Sequence, residues 1–298
     1  MTKNYFSLKF WAMIIALFAG FTFASCGEDE DEPTNNNTAV ESISLNKPTL
    51  TIAIGESETL VVTTDPANVT VSWTSENANV VVDAKSGKVT GKAEGTAVIT
   101  AKAGEKTATC TVTVRGALLN GVVWALRNVD AFGTFAAAPE STGKFYQWNR
   151  TVAWAGTFNE NQLISGWDSS NPTGTEWEKA NDPSPAGWRV PKLAEIEKLL
   201  DVAKVGRTWT AQNGVNGYRF TDNTNGASIF LPAVGEIESG GYHTHYEGTG
   251  TYWYGNYWSA TQSDESEYSG KYLQFFYEFP QVGNDFKSTG LSVRSVLE

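Results

Sequence analysis

Apolar and polar positions alternate through the first foldable stretch of this chain. Thr49-Leu50-Thr51-Ile52-Ala53-Ile54 puts Leu50, Ile52 and Ile54 on one side, as the two-residue period of a strand requires. Gly55-Glu56 then turns the chain into Thr59-Leu60-Val61-Val62. Ala97-Val98-Ile99-Thr100-Ala101 and Cys110-Thr111-Val112-Thr113-Val114 predict two further strands, the second with Cys110, Val112 and Val114 inward. No helical period persists from Val40 to Arg115, and turn residues recur at short intervals, so this stretch is predicted to be all-β. Trp73 is its only aromatic residue and the expected centre of a core between two sheets.

From Gly116 onward the pattern is mixed. Gly121-Val122-Val123-Trp124-Ala125 predicts a short strand. A helix is expected to open at Pro191, which suits a first helical turn. Leu193, Ile196, Leu199, Leu200 and Ala203 form its apolar face, and Gly206 stops it. Tyr218-Arg219-Phe220 and Ser228-Ile229-Phe230-Leu231 flank Asn225-Gly226, a hairpin turn signal. Leu273, Phe275, Tyr277 and Phe279 alternate as a half-buried strand, and Leu291 to Val296 supplies the last one. One or two helices among many short strands make an α+β arrangement. This part holds 9 of the 11 Trp and 10 of the 11 Tyr. That composition predicts a separate domain with its own core, because so many exposed rings would leave apolar patches a soluble domain does not tolerate.

The beginning of the chain has a different character. Lys3 and Lys9 precede an uncharged apolar stretch from Phe10 to Ser25, which reads as a signal peptide and is shorter than the ~20 residues of a membrane-spanning helix. Phe23-Ala24-Ser25-Cys26-Gly27 resembles the lipobox of bacterial lipoproteins, although Phe23 stands where Leu is commonest. The resemblance implies cleavage before Cys26 and lipidation of its thiol, and several acyl chains on one residue make a stable anchor. Glu28, Asp29, Glu30, Asp31 and Glu32 follow, then Pro33 and Asn35, Asn36 and Asn37. Such a run is a solvated tether, and by position it resembles the acidic export signal of surface lipoproteins in Bacteroidetes-type Gram-negative bacteria. The expected location is therefore the outer membrane, lipid-anchored and surface-exposed.

Two further resemblances set the domain organisation. Ser42-Ile43-Ser44-Leu45, the Ile54-Gly55-Glu56 turn, Val71-Ser72-Trp73-Thr74-Ser75, Gly87-Lys88-Val89-Thr90-Gly91 and Gly95-Thr96-Ala97 resemble the bacterial Ig-like domain, group 2. That family supplies spacers in adhesins, which implies an Ig-like sandwich acting as a stalk. Asn120 to Val129, Phe145-Tyr146-Gln147-Trp148-Asn149-Arg150, Asn181 to Pro191, Tyr257-Trp258-Ser259-Ala260-Thr261 and Ser292-Val293-Arg294 resemble the Fibrobacter succinogenes major paralogous domain family. That family looks C-type-lectin-like and implies adhesion or glycan binding. The resulting organisation is a signal peptide over 1–25, a tether over 26–39, an Ig-like domain over 40–115 and an α+β C-type-lectin-like domain over 116–298. Many members of the second family carry Cys where this chain has Ser184 and Ser295. If those cysteines pair in relatives, the two segments should meet here without a covalent staple. Neither Glu-Pro-Asn nor Gln-Pro-Asp occurs, so calcium-bridged sugar binding has no support, and the domain has no cysteines for formylglycine chemistry.

Charge and candidate chemistry narrow the function. A net charge of −11 argues against a nucleic-acid partner, which needs excess Lys and Arg. The chain has two cysteines, Cys26 and Cys110; with Cys26 lipidated, Cys110 is expected to be a buried small hydrophobe. His243 and His245 could share one side of a strand near Glu236, Glu238 and Glu247, but they sit in a glycine-rich loop, and the expectation is no metal. The stronger candidates for ligand binding are Tyr252, Trp253 and Tyr254 at the end of that loop, with Asn256 or Asp264 to take sugar hydroxyls. Trp154, Trp167 and Trp177 lie in a second variable region, and Trp258 is expected in the core. No Gly-x-Ser-x-Gly, His-Glu-x-x-His or phosphate-cradling loop occurs; acidic pairs such as Glu176/Glu178 and Glu236/Glu238 could serve a glycosidase, but such pairs are abundant in a chain this acidic and are not specific. The reading is a non-enzymatic adhesion or binding module with no catalytic residues and no cofactor, whose partners are a host or polymeric glycan or a surface protein. Its alternatives are a structural subunit of a surface or fimbrial assembly and a carbohydrate-active hydrolase.

Overall fold

The computed structural model describes residues 39–156, 163–239 and 254–298, and the backbone alone of 241–243. The signal segment, Cys26 and the acidic tether lie outside the described residues. Ala39–Glu298 form one compact unit.

Two strands organise the Ig-like part. Thr49–Ile54 runs parallel to the long strand Lys106–Leu119, pairing Leu50 with Val112 and Ile52 with Val114. Gly95–Ala103 folds back antiparallel on the other side of that long strand, and Ser72–Ser75 pairs with Gly95–Ala103 in turn. The inward positions of these strands make one core, with Leu50, Ile52, Trp73, Ile99, Cys110 and Val112 all buried. Trp73 is central, as its solitary position in the sequence predicts. A Cβ on Gly87 would come 2.6 Å from Trp73 Cζ2, and Gly87 has φ +68°, so both the close approach and the backbone need glycine. Cys110 is a free, fully buried thiol.

The long strand does not end with the Ig-like core. Lys106–Leu119 continues past Arg115 and pairs antiparallel with Val122–Trp124, which pairs with Val296–Leu297, which pairs with Trp188–Arg189. One sheet therefore carries both the Ig-like strands and the first and last strands of the second part. The crossing point is Gly116, with φ +68°; a Cβ there would lie 2.7 Å from Trp124 O and 2.7 Å from Trp188 Cη2. Ile54 packs against the cores on both sides. Asn225 Nδ2 donates to Leu118 O at 3.0 Å, and Arg127 pairs with Glu94 at 2.6 Å. The sequence boundary near Gly116 thus falls inside a hydrogen-bonded strand.

The second part adds two more sheets. Ala153–Trp154, Phe145–Gln147, Gly290–Ser292, Tyr254–Gln262, Ser269–Phe276 and Pro280–Phe286 follow one another across the larger sheet. Val205–Gln212, Val215–Asp222 and Ser228–Pro232 form an antiparallel three-stranded sheet, its last turn built on Asn225-Gly226 as predicted. Strands dominate; the described helices are Leu193–Leu200 and the 3₁₀ turn Lys179–Asn181. The helix buries Ile196 and Leu199. Its first turn is held by Glu195, which accepts from the Lys192 backbone N–H at 2.8 Å and pairs with both terminal nitrogens of Arg189.

Three sequence expectations change here. The helix stops at Leu200 rather than running to Gly206. Asp201 turns the chain by accepting the Ala203 N–H on its carboxyl, and Gly206 is already in the next strand. The alternation from Leu273 to Phe279 breaks after Phe276: Leu273 and Phe275 are buried, while Tyr277 and Phe279 are 54% and 50% exposed in a turn. The single last strand is two short strands, Gly290–Ser292 and Val296–Leu297, in different sheets. Between them Arg294 is fully buried. Its Nε and Nη2 donate to Asn128 Oδ1 at 3.0 and 2.7 Å, and burial without a carboxylate pulls its pKa down to about 10.

Candidate functional site

Register decides which side chains of the larger sheet share a face. Tyr254 lies opposite Phe276, Asn256 opposite Gln274 and Trp258 opposite Tyr272; Tyr272, Gln274 and Gly270 lie opposite Gly283, Gln281 and Asp285. The intervening residues Tyr257, Leu273 and Phe275 point the other way into the main core. Trp258 and Tyr272 are covered by a second core containing Tyr146 and Trp148. What remains of this face is Tyr254, Asn256, Gln274, Phe276 and Gln281, with Glu236 and Asp285 at its margins.

Its electrostatics are acidic. Asn256 Nδ2 donates to Glu236 Oε2 at 2.5 Å. The half-buried Glu236 carboxyl is pushed up to about 7 by burial, reinforced by the charge of Asp285. Burial also raises Asp285, whose Oδ1 accepts the Phe286 N–H at 2.6 Å and the Thr289 hydroxyl at 3.2 Å. The Tyr254 and Tyr272 phenols are raised for the same reason, burial first and neighbouring carboxylates second. These groups can exchange hydrogen bonds with hydroxyls near neutral pH.

The residues singled out in the sequence are distributed as follows. Tyr252, Trp253 and His245 lie outside the described residues, as does the side chain of His243. Tyr254 is 6% exposed, with its ring centroid 6.0 Å from that of Phe276. Asn256 is buried beside Glu236. Asp264 does not join them: the strand Tyr254–Gln262 ends before it, so it sits at the opposite end of that strand, exposed and paired with Lys271 at 2.5 Å. Trp154 and Trp167 pack on each other at 5.0 Å against a small core with Phe145 and Ile237, and Trp177 is buried against Trp148. Trp258 is fully buried. Among the described residues no group of three or more His, Cys, Asp and Glu is placed to hold a metal ion.

Gln274, Phe276, Gln281 and Asp285 are the members of this face that the sequence reading missed. The signal was present in the phase: with Leu273 and Phe275 inward, Phe276 is an aromatic ring on the polar phase beside Gln274. A separate groove of about 530 Å³ opens beside the edge strand Trp188–Arg189, lined by Trp177, Pro185, Trp188 and Lys192 among others. Several of its charges are paired, Glu176 with Lys192 at 3.1 Å, Lys179 with Glu298 at 3.0 Å and Arg189 with Glu195 at 2.6 Å, while Asp182 accepts the Ser184 and Val190 N–H groups.

Known proteins resemble part of this chain. Residues 39–114 match the bacterial Ig-like domain (group 2) family. The Ig-like virion protein of Serratia phage KSP90 is 46% identical over 94 residues, 30% of this chain and 36% of that protein. The chain thus spans about a third of the length of that curated relative. Among solved structures, the surface layer protein SbsC, domains 1–6, is 17% identical with a TM-score of 0.23, covering 62% of this chain and 22% of that one. Its domains 5–6 are 14% identical at the same TM-score, covering 86% and 97%. At that score neither likeness bears on fold or function. Residues 39–114 are a bacterial Ig-like domain, and it accounts for the core around Trp73.

Proposed function

We propose that this protein is a non-catalytic surface module. In this reading the Ig-like domain is a stalk, the second part is a C-type-lectin-like recognition domain, and lipid on Cys26 holds the whole at the outer membrane. The observation that carries it is the unbroken strand Lys106–Leu119, which belongs to both cores. A stalk that shares a strand with its head transmits orientation, whereas a flexible linker would not. The Ig-like relative is a virion protein, which suits a spacer on an outer surface. The sequence motifs shared with the Fibrobacter succinogenes major paralogous domain family support the lectin-like assignment. A non-catalytic role suits the carboxyls of the acidic face: Glu236 is tied to Asn256, and Asp285 holds its own turn.

Two measurements test this reading. Protease treatment of intact cells should remove the wild-type protein, and Cys26→Ala should abolish acyl labelling and release the protein from the membrane fraction. Undiminished labelling of Cys26→Ala would sink the lipoprotein assignment. Sugar release from polysaccharide by the purified protein, lost on Glu236→Gln, would replace the binding role with a hydrolase.

A further inference from the structure

On the face of the larger sheet turned away from the main core, three amides stand in a row across three strands, from the buried Asn256 to the exposed Gln281. Asn256 lies opposite Gln274, and Gln274 opposite Gln281. Their side chains form a directed chain: Gln281 Nε2 donates to Gln274 Oε1 at 3.2 Å, and Gln274 Nε2 to the Tyr272 hydroxyl at 2.9 Å. Asn256 ends the row against Glu236, and its Oδ1 is a buried acceptor without a hydrogen-bond partner among the described residues. An acceptor in that condition costs free energy until some donor reaches it. Phe276 stands on the same face, 37% exposed, its ring against Tyr254.

We propose that this amide row, with Phe276 beside its middle member Gln274, is a platform for an uncharged glycan chain lying across the strands. The inference rests on the reading of the second part as a binding module and names its site and ligand class. Each primary amide offers a donor and an acceptor side by side, which suits neighbouring sugar hydroxyls. Adjacent strands are ~4.8 Å apart, so a row over three strands extends ~10 Å, on the scale of two linked pyranose rings. The exposed Phe276 ring supplies the apolar patch against which the C–H face of a sugar packs. Charge selects the ligand. The groups bonded within the row are amides, a phenol and a carboxyl, and among the described residues no lysine or arginine bonds to it. A uronate or sulfated glycan would meet Glu236 and Asp285 uncompensated.

Affinity electrophoresis of the whole protein tests this, in gels containing a neutral β-glucan, mannan or arabinoxylan, or anionic polygalacturonate. The variants are Phe276→Ala, the double variant Gln274→Ala/Gln281→Ala, and Lys192→Ala at the other groove, each with a melting curve. The expected result is retardation by a neutral polymer, weakened roughly tenfold or more in the first two variants at unchanged melting and retained in Lys192→Ala. Retardation that survives in the first two variants overturns the platform and leaves the binding role standing. Retardation by polygalacturonate alone overturns the ligand class. No retardation in any gel overturns the glycan platform outright, including the case where the face serves a protein partner; exposure of the protein on intact cells then judges the surface role independently.

Discussion

The hydroxyls of Ser184 and Ser295 meet at 2.7 Å, joining the loop before Trp188 to the last segment of the chain. Strand pairing of Trp188–Arg189 with Val296–Leu297 holds the segments together without a covalent link. The double variant Ser184→Cys/Ser295→Cys should therefore oxidise without rearrangement. It should raise stability by about 2–4 kcal/mol, read as a denaturation midpoint that falls back on reduction. Free thiols in the oxidised protein would show that the side chains do not point at each other.

Asn128 and Arg294 should behave as a unit. The guanidinium is buried, and its strongest bonds go to one amide oxygen. Asn128→Ala leaves that cation with the Ala125 carbonyl, at 3.3 Å from Nη1, and should cost about 3–5 kcal/mol, whereas removing both partners together costs less. Urea denaturation of Asn128→Ala and of Asn128→Ala/Arg294→Met checks the order. A double variant less stable than the single one would contradict it.

Stability should fall as pH rises through the range set by Glu236. Its folded pKa, about 7, lies above the ordinary value of 4.5, so the folded state holds the proton more tightly than the unfolded chain. That contribution is complete below the unfolded value and is lost as pH rises through the folded one. Between about pH 5 and about pH 8 the melting temperature of the wild type should drop more than that of Glu236→Gln. Parallel curves for the two proteins would remove Glu236 as the cause.

Much of this fold is legible along the chain because its cores follow simple periods. Leu50, Ile52, Cys110 and Val112 face inward as alternation predicts, and the Asn225-Gly226 hairpin forms where its turn residues stand. The helix face is legible at Ile196 and Leu199, but its end is not, since Asp201 stops it with a local side-chain contact that no apolar period reports. The hairpin at Asn213-Gly214, both with positive φ, likewise forms at a dipeptide that signals a turn. What alternation could not reveal was the continuation of Lys106–Leu119 through Gly116. A change of composition marks where a new core begins, and a shared strand leaves that change in place. The candidate site was half legible for a similar reason: Tyr254 and Asn256 stand in one aromatic cluster, but Gln274, Gln281 and Asp285 reach them only through pairing between strands.

Cooperativity between the two cores is the most direct test of the account. Trp73→Ala truncates the Ig-like core and Phe220→Ala the core of the second part, each at about 3–5 kcal/mol. Because Lys106–Leu119 and Ile54 belong to both, calorimetry of the protein from Ala39 onward should show one transition, lowered by either substitution. Two transitions, with Trp73→Ala moving only one and Phe220→Ala only the other, would mean that the strand through Gly116 does not couple head to stalk.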